Sequence, residues 1–126
     1  MTKRAASIVA LGIVASLAVP AASCERGTRR VGHRVADPSA QWIAVVDEVE
    51  YANGLLTSVA DRVLVREAAS KDGAGTIVFS EDALPDVEKP TVAWEAGRLV
   101  ITASRSANVL RREARAHGFE VEVRPR

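Results

Sequence analysis

The sequence predicts a mainly β protein: a single small antiparallel sheet domain, a meander curled into a sandwich or half-barrel, with one short C-terminal helix, after an N-terminal signal segment. Three observations carry that expectation. "FEVEVRP" (Phe119 to Pro125) alternates apolar and polar residues, the period of a half-exposed strand. "WIAVV" (Trp42 to Val46) is apolar in both phases, as a central strand covered on two faces requires. Between such runs stand Gly, Asn, Asp and Pro, the residues that reverse a chain.

The chain opens on Thr2-Lys3-Arg4 and then runs from Ala5 to Val19 without a charge. A basic start, an apolar stretch and small residues before a cut make residues 1–23 a secretory signal. A membrane span needs about 20 apolar residues, and Pro20 followed by Glu25 and Arg26 closes this run too early. Residues 24–37, with four arginines against one acid up to Ala36, read as a basic flexible linker. The domain is expected over 38–126.

Asp37-Pro38-Ser39 is a turn, and the strand from Trp42 sets Trp42, Ala44 and Val46 on one face, Ile43 and Val45 on the other. Asn53-Gly54 marks a hairpin turn. Ser58 to Glu67 follows with Val59, Val63 and Val65 inward and Arg62 and Arg66 outward. After turn chemistry at Ser70 to Gly75 comes Thr76 to Ser80, then an acidic loop held out of regular structure by Pro85 and Pro90. Thr91 to Glu95 and Arg98 to Ala103 form a hairpin about Ala96-Gly97. "SANVLRREARAHG" changes period: Ser106 is placed to cap a helix and Gly118 to end it. Arg111, Arg112, Arg115 and His117 suit the negative end of its dipole. Phe119 to Arg124 is an edge strand stopped by Pro125. Trp42 and Trp94 are the expected core anchors.

"AASC" (Ala21 to Cys24) resembles the bacterial lipobox, in which small residues precede a cysteine that becomes the lipidated first residue; Ala21 stands where Leu is usual. The resemblance implies lipid attachment at Cys24. The chain has one cysteine, so no disulfide can form within it. The alternative is cleavage by ordinary signal peptidase after Ala21 or Ser23, releasing a periplasmic or secreted chain. Glu25 is not the aspartate that accompanies inner-membrane retention of lipoproteins, which points to the outer membrane.

From Asp37 onward the chain resembles a group of small exported bacterial proteins and lipoproteins of unknown function. Their domain opens Ser-Pro-Asp-Gly-x-Trp-x-Ala-Val-Val. Here the opening reads Asp37-Pro38-Ser39-Ala40-Gln41-Trp42-Ile43-Ala44-Val45-Val46. Val63-Leu64-Val65, Val78-Phe79, Val92-Ala93-Trp94, Leu99-Val100-Ile101 and Val121-Glu122-Val123 continue the pattern. The resemblance implies an architecture and an exported location; it carries no site.

Net charge is +1, but its distribution is uneven. Asp37 to Gly97 holds twelve acids and four bases, and Arg98 onward seven bases and three acids. An exported chain of near-zero net charge is not expected to bind nucleic acid. His33 and His117, the two histidines, stand in no nucleophile–base pattern, and no glycine-rich phosphate loop occurs. The acids of "DEVE" and of Glu81, Asp82, Asp86 and Glu88 are expected to be solvated, without calcium-loop spacing. No catalytic residue, metal or cofactor is therefore assigned. The expected function is a binding or accessory module of the bacterial cell envelope, held on the membrane through Cys24 and meeting an envelope protein partner. The alternative is a small exported enzyme whose site leaves no motif.

Overall fold

A computed structural model describes residues 28–71 and 74–126; the expected signal segment 1–23 and Cys24 lie outside them. Nine strands form: β1 (Arg29–Ala36), β2 (Trp42–Asn53), β3 (Leu56–Glu67), β4 (Thr76–Asp82), β5 (Thr91–Glu95), β6 (Arg98–Ala103), β7 (Val109–Arg112), β8 (Arg115–Ala116) and β9 (Phe119–Pro125). They build a five-stranded sheet in the order β1-β2-β3-β4-β7 and a four-stranded sheet in the order β5-β6-β9-β8. Every pairing is antiparallel except β6 with β9. That parallel step follows from the crossing of the chain to β7 in the other sheet between β6 and β9.

The alternation read from the sequence positions the core. Ala44 and Val46 of β2, Val63 and Val65 of β3 and Leu99 and Ile101 of β6 are buried together, with Trp42, Trp94, Phe119 and Val123 packed around them. In β4 both Val78 and Phe79 are fully buried, which strict alternation forbids. The register supplies the reason: Phe79 pairs with Val63 but Ile77 with Leu64, so a bulge admits one extra residue and turns two successive side chains inward. Phe79, Leu99 and Ile101 are the largest fully buried apolar side chains. The tryptophans, expected as anchors, sit half-buried at the rim instead. Trp94 meets Phe119 edge-on at 5.0 Å and donates from Nε1 to the Val35 carbonyl at 3.0 Å, which binds the two sheets.

Two further expectations are corrected. Residues 29–36, expected within a flexible linker, form β1, paired with β2 from Arg29–Val49 to Ala36–Ile43. Its charges made it read as solvated chain, and an edge strand whose Arg29 and Arg30 pair with Asp47 and Glu48 satisfies the same composition. The short C-terminal helix is absent: no helix forms among the described residues, and the segment is β7 and β8. Pairing of Phe79 with Arg112 and Ser80 with Arg111 outweighs the helix propensity of "LRREARA". His117 (φ 50°) and Gly118 (φ 89°) both take positive φ between β8 and β9, the pattern of a type I′ hairpin turn rather than a helix cap. The β2–β3 turn also moves by one residue. Gly54 (φ 63°) and Leu55 are its central pair, as in a type II′ turn with glycine first.

Truncating Phe79 to Ala should cost about 3–5 kcal/mol, since it is the largest fully buried side chain of the core. Leu55→Ser, on the exposed hairpin tip, should change stability by no more than about 0.5 kcal/mol. Urea denaturation midpoints of the two variants measure the contrast.

Candidate functional site

The sandwich is open along one side, where the edge of β9 is only partly covered. β8 pairs with just Phe119 and Glu120. One residue further, the Val121 N–H donates to the Ala114 carbonyl at 2.9 Å, while Arg126 N–H turns the other way, to Ala103 of β6. Backbone groups alternate direction along a strand paired in parallel, so Val123 presents its N–H and C=O to the uncovered side. Pro125, next in that phase, has no N–H to offer.

An open hollow of about 630 Å³ lies against this edge, lined by Arg112, Ala114, Arg115, Glu120, Val121, Glu122 and Val123. The two valines give it an apolar wall and the charged residues a rim. Glu122 is engaged from both sides, by Arg124 at 2.8 Å and Arg98 at 3.0 Å, and these hydrogen bonds hold its carboxyl below the usual range. Arg115 lies 3.8 Å from Glu120 and donates to the Gly118 carbonyl. Arg112 is exposed, with no acidic partner among the described residues. An open strand edge, an apolar wall and a free cation together suit an extended peptide added as a further strand.

A second concentration of chemistry sits inside one end of the sandwich. Glu48, Asp61 and Glu81 occupy directly opposed positions of β2, β3 and β4 on the inner face. Lys89, from the segment leading to β5, joins two of them, donating to Asp61 at 2.8 Å and to Glu48 at 3.1 Å. Partial burial works against its charge, yet the bonds to Asp61 and Glu48 outweigh that and raise its pKa above the ordinary lysine value. Glu81 is completely buried and neither of its oxygens has a hydrogen-bond partner. Burial, reinforced by the Asp61 charge, pushes its carboxyl up to about 7. A proton held there near neutrality is the sort of group that acid–base chemistry employs, but Glu81 is sealed from solvent.

The outer face carries a third set. Asp47 is buried and accepts from Arg29 Nε at 2.6 Å and from Arg62 through Nε at 2.9 Å and Nη2 at 2.8 Å. Arg62 is driven above its ordinary value chiefly by that carboxylate. Arg66, expected outward, does lie on the outer face but is buried, its Nη1 donating to the carbonyls of Glu67, Ala68 and Ser70.

The expectation of solvated acids therefore fails for Asp47 and Glu81, and Asp61, for which the sequence raised no expectation, is buried as well. Asp61 was readable: it shares the phase of Val59, Val63 and Val65, as Glu48 shares that of Ala44 and Val46. The loop acids do not converge. Asp82 accepts from Asn108, Glu88 faces Arg126 at 3.7 Å, and Glu81 turns inward. No group of three His, Cys, Asp or Glu among the described residues is placed to hold a metal ion. His33 lies in β1, while His117 stacks on Trp42 with ring centroids 4.3 Å apart and shares a 3.2 Å hydrogen bond with Thr76 Oγ1. The histidines do not meet the acids in one site. The chain matches no family model, no curated protein and no solved structure.

A carboxyl whose pKa is raised by folding stabilises the fold only while it stays protonated. For Glu81 this contribution is complete below the ordinary value of 4.5 and is lost as pH rises through about 7. Stability should therefore fall by about 3 kcal/mol at most between pH 4.5 and 8. Glu81→Gln should flatten that slope; denaturation midpoints at pH 5 and pH 8, for both proteins, measure it.

Proposed function

We propose that this protein is an exported module, held on a membrane of the bacterial cell envelope by lipid on Cys24, that binds an extended segment of another envelope protein along the open edge of β9. The observation that carries the binding role is the exposed peptide group of Val123 beside a hollow with an apolar wall and an arginine at its rim. Two or three residues of a partner chain fill such an edge, with main-chain hydrogen bonds giving affinity and the valine wall favouring an apolar side chain. Arg112 favours an acidic residue in the partner. The role is recognition rather than catalysis, because Glu81, whose carboxyl burial pushes up to about 7, is sealed from solvent and does not line the hollow.

The anchoring role rests on the sequence: a basic start, an apolar run of signal length, small residues and then the single cysteine. Two acyl chains on Cys24 suffice for stable attachment where one does not.

A photo-crosslinking amino acid at position 114, which lines the hollow, in cells expressing the whole chain, tests the binding role. It should capture an envelope protein, and capture should fall about tenfold on Arg112→Glu, which removes the rim cation. Val123→Pro deletes the edge N–H and should act likewise, its melting temperature being measured alongside. Capture that survives both substitutions, or no capture at all, refutes the edge as a binding site. Intact mass of the same protein shows whether Cys24 carries diacylglycerol.

A further inference from the structure

The exposed large apolar side chains among the described residues are not scattered. They are Tyr51, Leu55, Leu56, Leu84, Val109 and Leu110. Tyr51, Leu55 and Leu56 belong to the β2–β3 hairpin, and Leu84 to the segment leaving β4 beside it. Val109 begins β7 opposite Glu81, with Leu110 next to it. The other end of the sandwich, formed by the turns at 37–41, 68–71, Ala96-Gly97 and His117-Gly118, has no exposed large apolar side chain among the described residues.

The hairpin itself projects. Its last links to neighbouring strands are Glu50 N–H to the Thr28 carbonyl and Ala83 N–H to the Val59 carbonyl, both at 2.9 Å. Three residues of each strand and the turn lie beyond, a projection of about 10 Å. At its tip Leu55 and Leu56 are 102% and 73% exposed, so neither is buried by any of the described residues. A two-residue turn closes a hairpin best on polar or glycine residues, and Leu55 in that place has no folding reason.

The Thr28 link also fixes where the chain enters. Residue 28 lies at the hairpin end, and Cys24 precedes it by four residues, which can span at most about 14 Å. Whatever holds Cys24 at a bilayer holds this end of the domain against it.

We propose that this end docks on the phospholipid surface, with Leu55 and Leu56 inserted among the acyl chains and Leu84 and Tyr51 at the interface. This rests on membrane attachment through Cys24. Lys89, Arg105 and Arg126 stand at the same end as Asp82, Asp86 and Glu88, so the surface is of mixed sign and the apolar tip, rather than headgroup charge, supplies the contact. Such docking presents the β9 edge sideways, parallel to the membrane normal and open to a partner.

The test uses the whole chain, isolated with its native N-terminus and reconstituted in vesicles of phosphatidylethanolamine and phosphatidylglycerol containing a diazirine phospholipid. After illumination, lipid adducts in the tryptic peptide Val35–Arg62 should map to residues 51–58 and exceed those mapping to residues 95–98, at the opposite end, by about tenfold. The double variant Leu55→Ser, Leu56→Ser should remove them without changing the melting temperature. Adducts spread evenly, or absent from 51–58, overturn the docking. So does a result in which the serine pair leaves lipid adducts unchanged but dissolves a protein complex, which would make the tip a protein contact. Intact mass of the same sample reads Cys24 separately. Diacylated Cys24 with a water-exposed hairpin refutes docking alone, whereas unmodified Cys24 refutes the anchor while the adducts still decide the hairpin.

Discussion

Twelve consecutive cross-strand pairs join β2 to β3, from Trp42–Glu67 to Asn53–Leu56, without a slip. That ladder is the constraint on which the rest depends. A shift of one residue would exchange the faces, sending Ala44, Val46, Val63 and Val65 to solvent and Asp47 and Arg62 into the core. The fixed register also decides the fate of every charge on the two strands. Asp47 falls outside opposite Arg62, where a bidentate pair can form; Glu48 and Asp61 fall inside, opposite each other, where like charges repel. Lys89 answers that repulsion from another segment, which ties the loop before β5 to the ladder's inner face.

The bulge in β4 changes the terms at its far end. By turning Val78 and Phe79 inward together it fills the middle of the sandwich, and by resetting the phase it carries Glu81 inward opposite Asp61. One irregularity thus provides both the largest buried side chain and the least satisfied one. The buried carboxyl answers by keeping its proton near neutral pH rather than by finding a partner. A neutral acid in that position costs less than a third charge beside Asp61 and Glu48 would.

Most of the framework was legible because alternation speaks for itself. β5, β6 and the Ala96-Gly97 turn stand where the sequence put them; β9 is longer by one residue and lies between β6 and the two-residue β8 rather than at the sheet's edge. Misreadings share one cause, competition from tertiary pairing. "RRVGHRVA" has a linker's composition and "VLRREARAH" a helix's propensities; each becomes an edge strand because a neighbouring strand lacks a partner. The bulge in β4 left no mark in the sequence, so it could not be read whether Val78 or Phe79, whose phase Glu81 shares, points inward. The β9 edge was out of reach as well: its openness depends on β8 stopping after two residues, a property of the assembled sheet.

An open edge that accepts a partner strand would also accept a second copy of itself, and the local chemistry of β9 limits that hazard. Pro125 removes the N–H that would extend the ladder, leaving a segment too short for stable self-pairing. Arg112 and Arg115 at the rim would face their own counterparts across a symmetric contact, a repulsion that an acidic partner does not meet. Attachment at the hairpin end would add a geometric limit, since domains held upright on one surface meet side by side with their β9 strands parallel. The edge geometry, the rim charge and the point of chain entry then favour one strand of opposite charge over an identical neighbour.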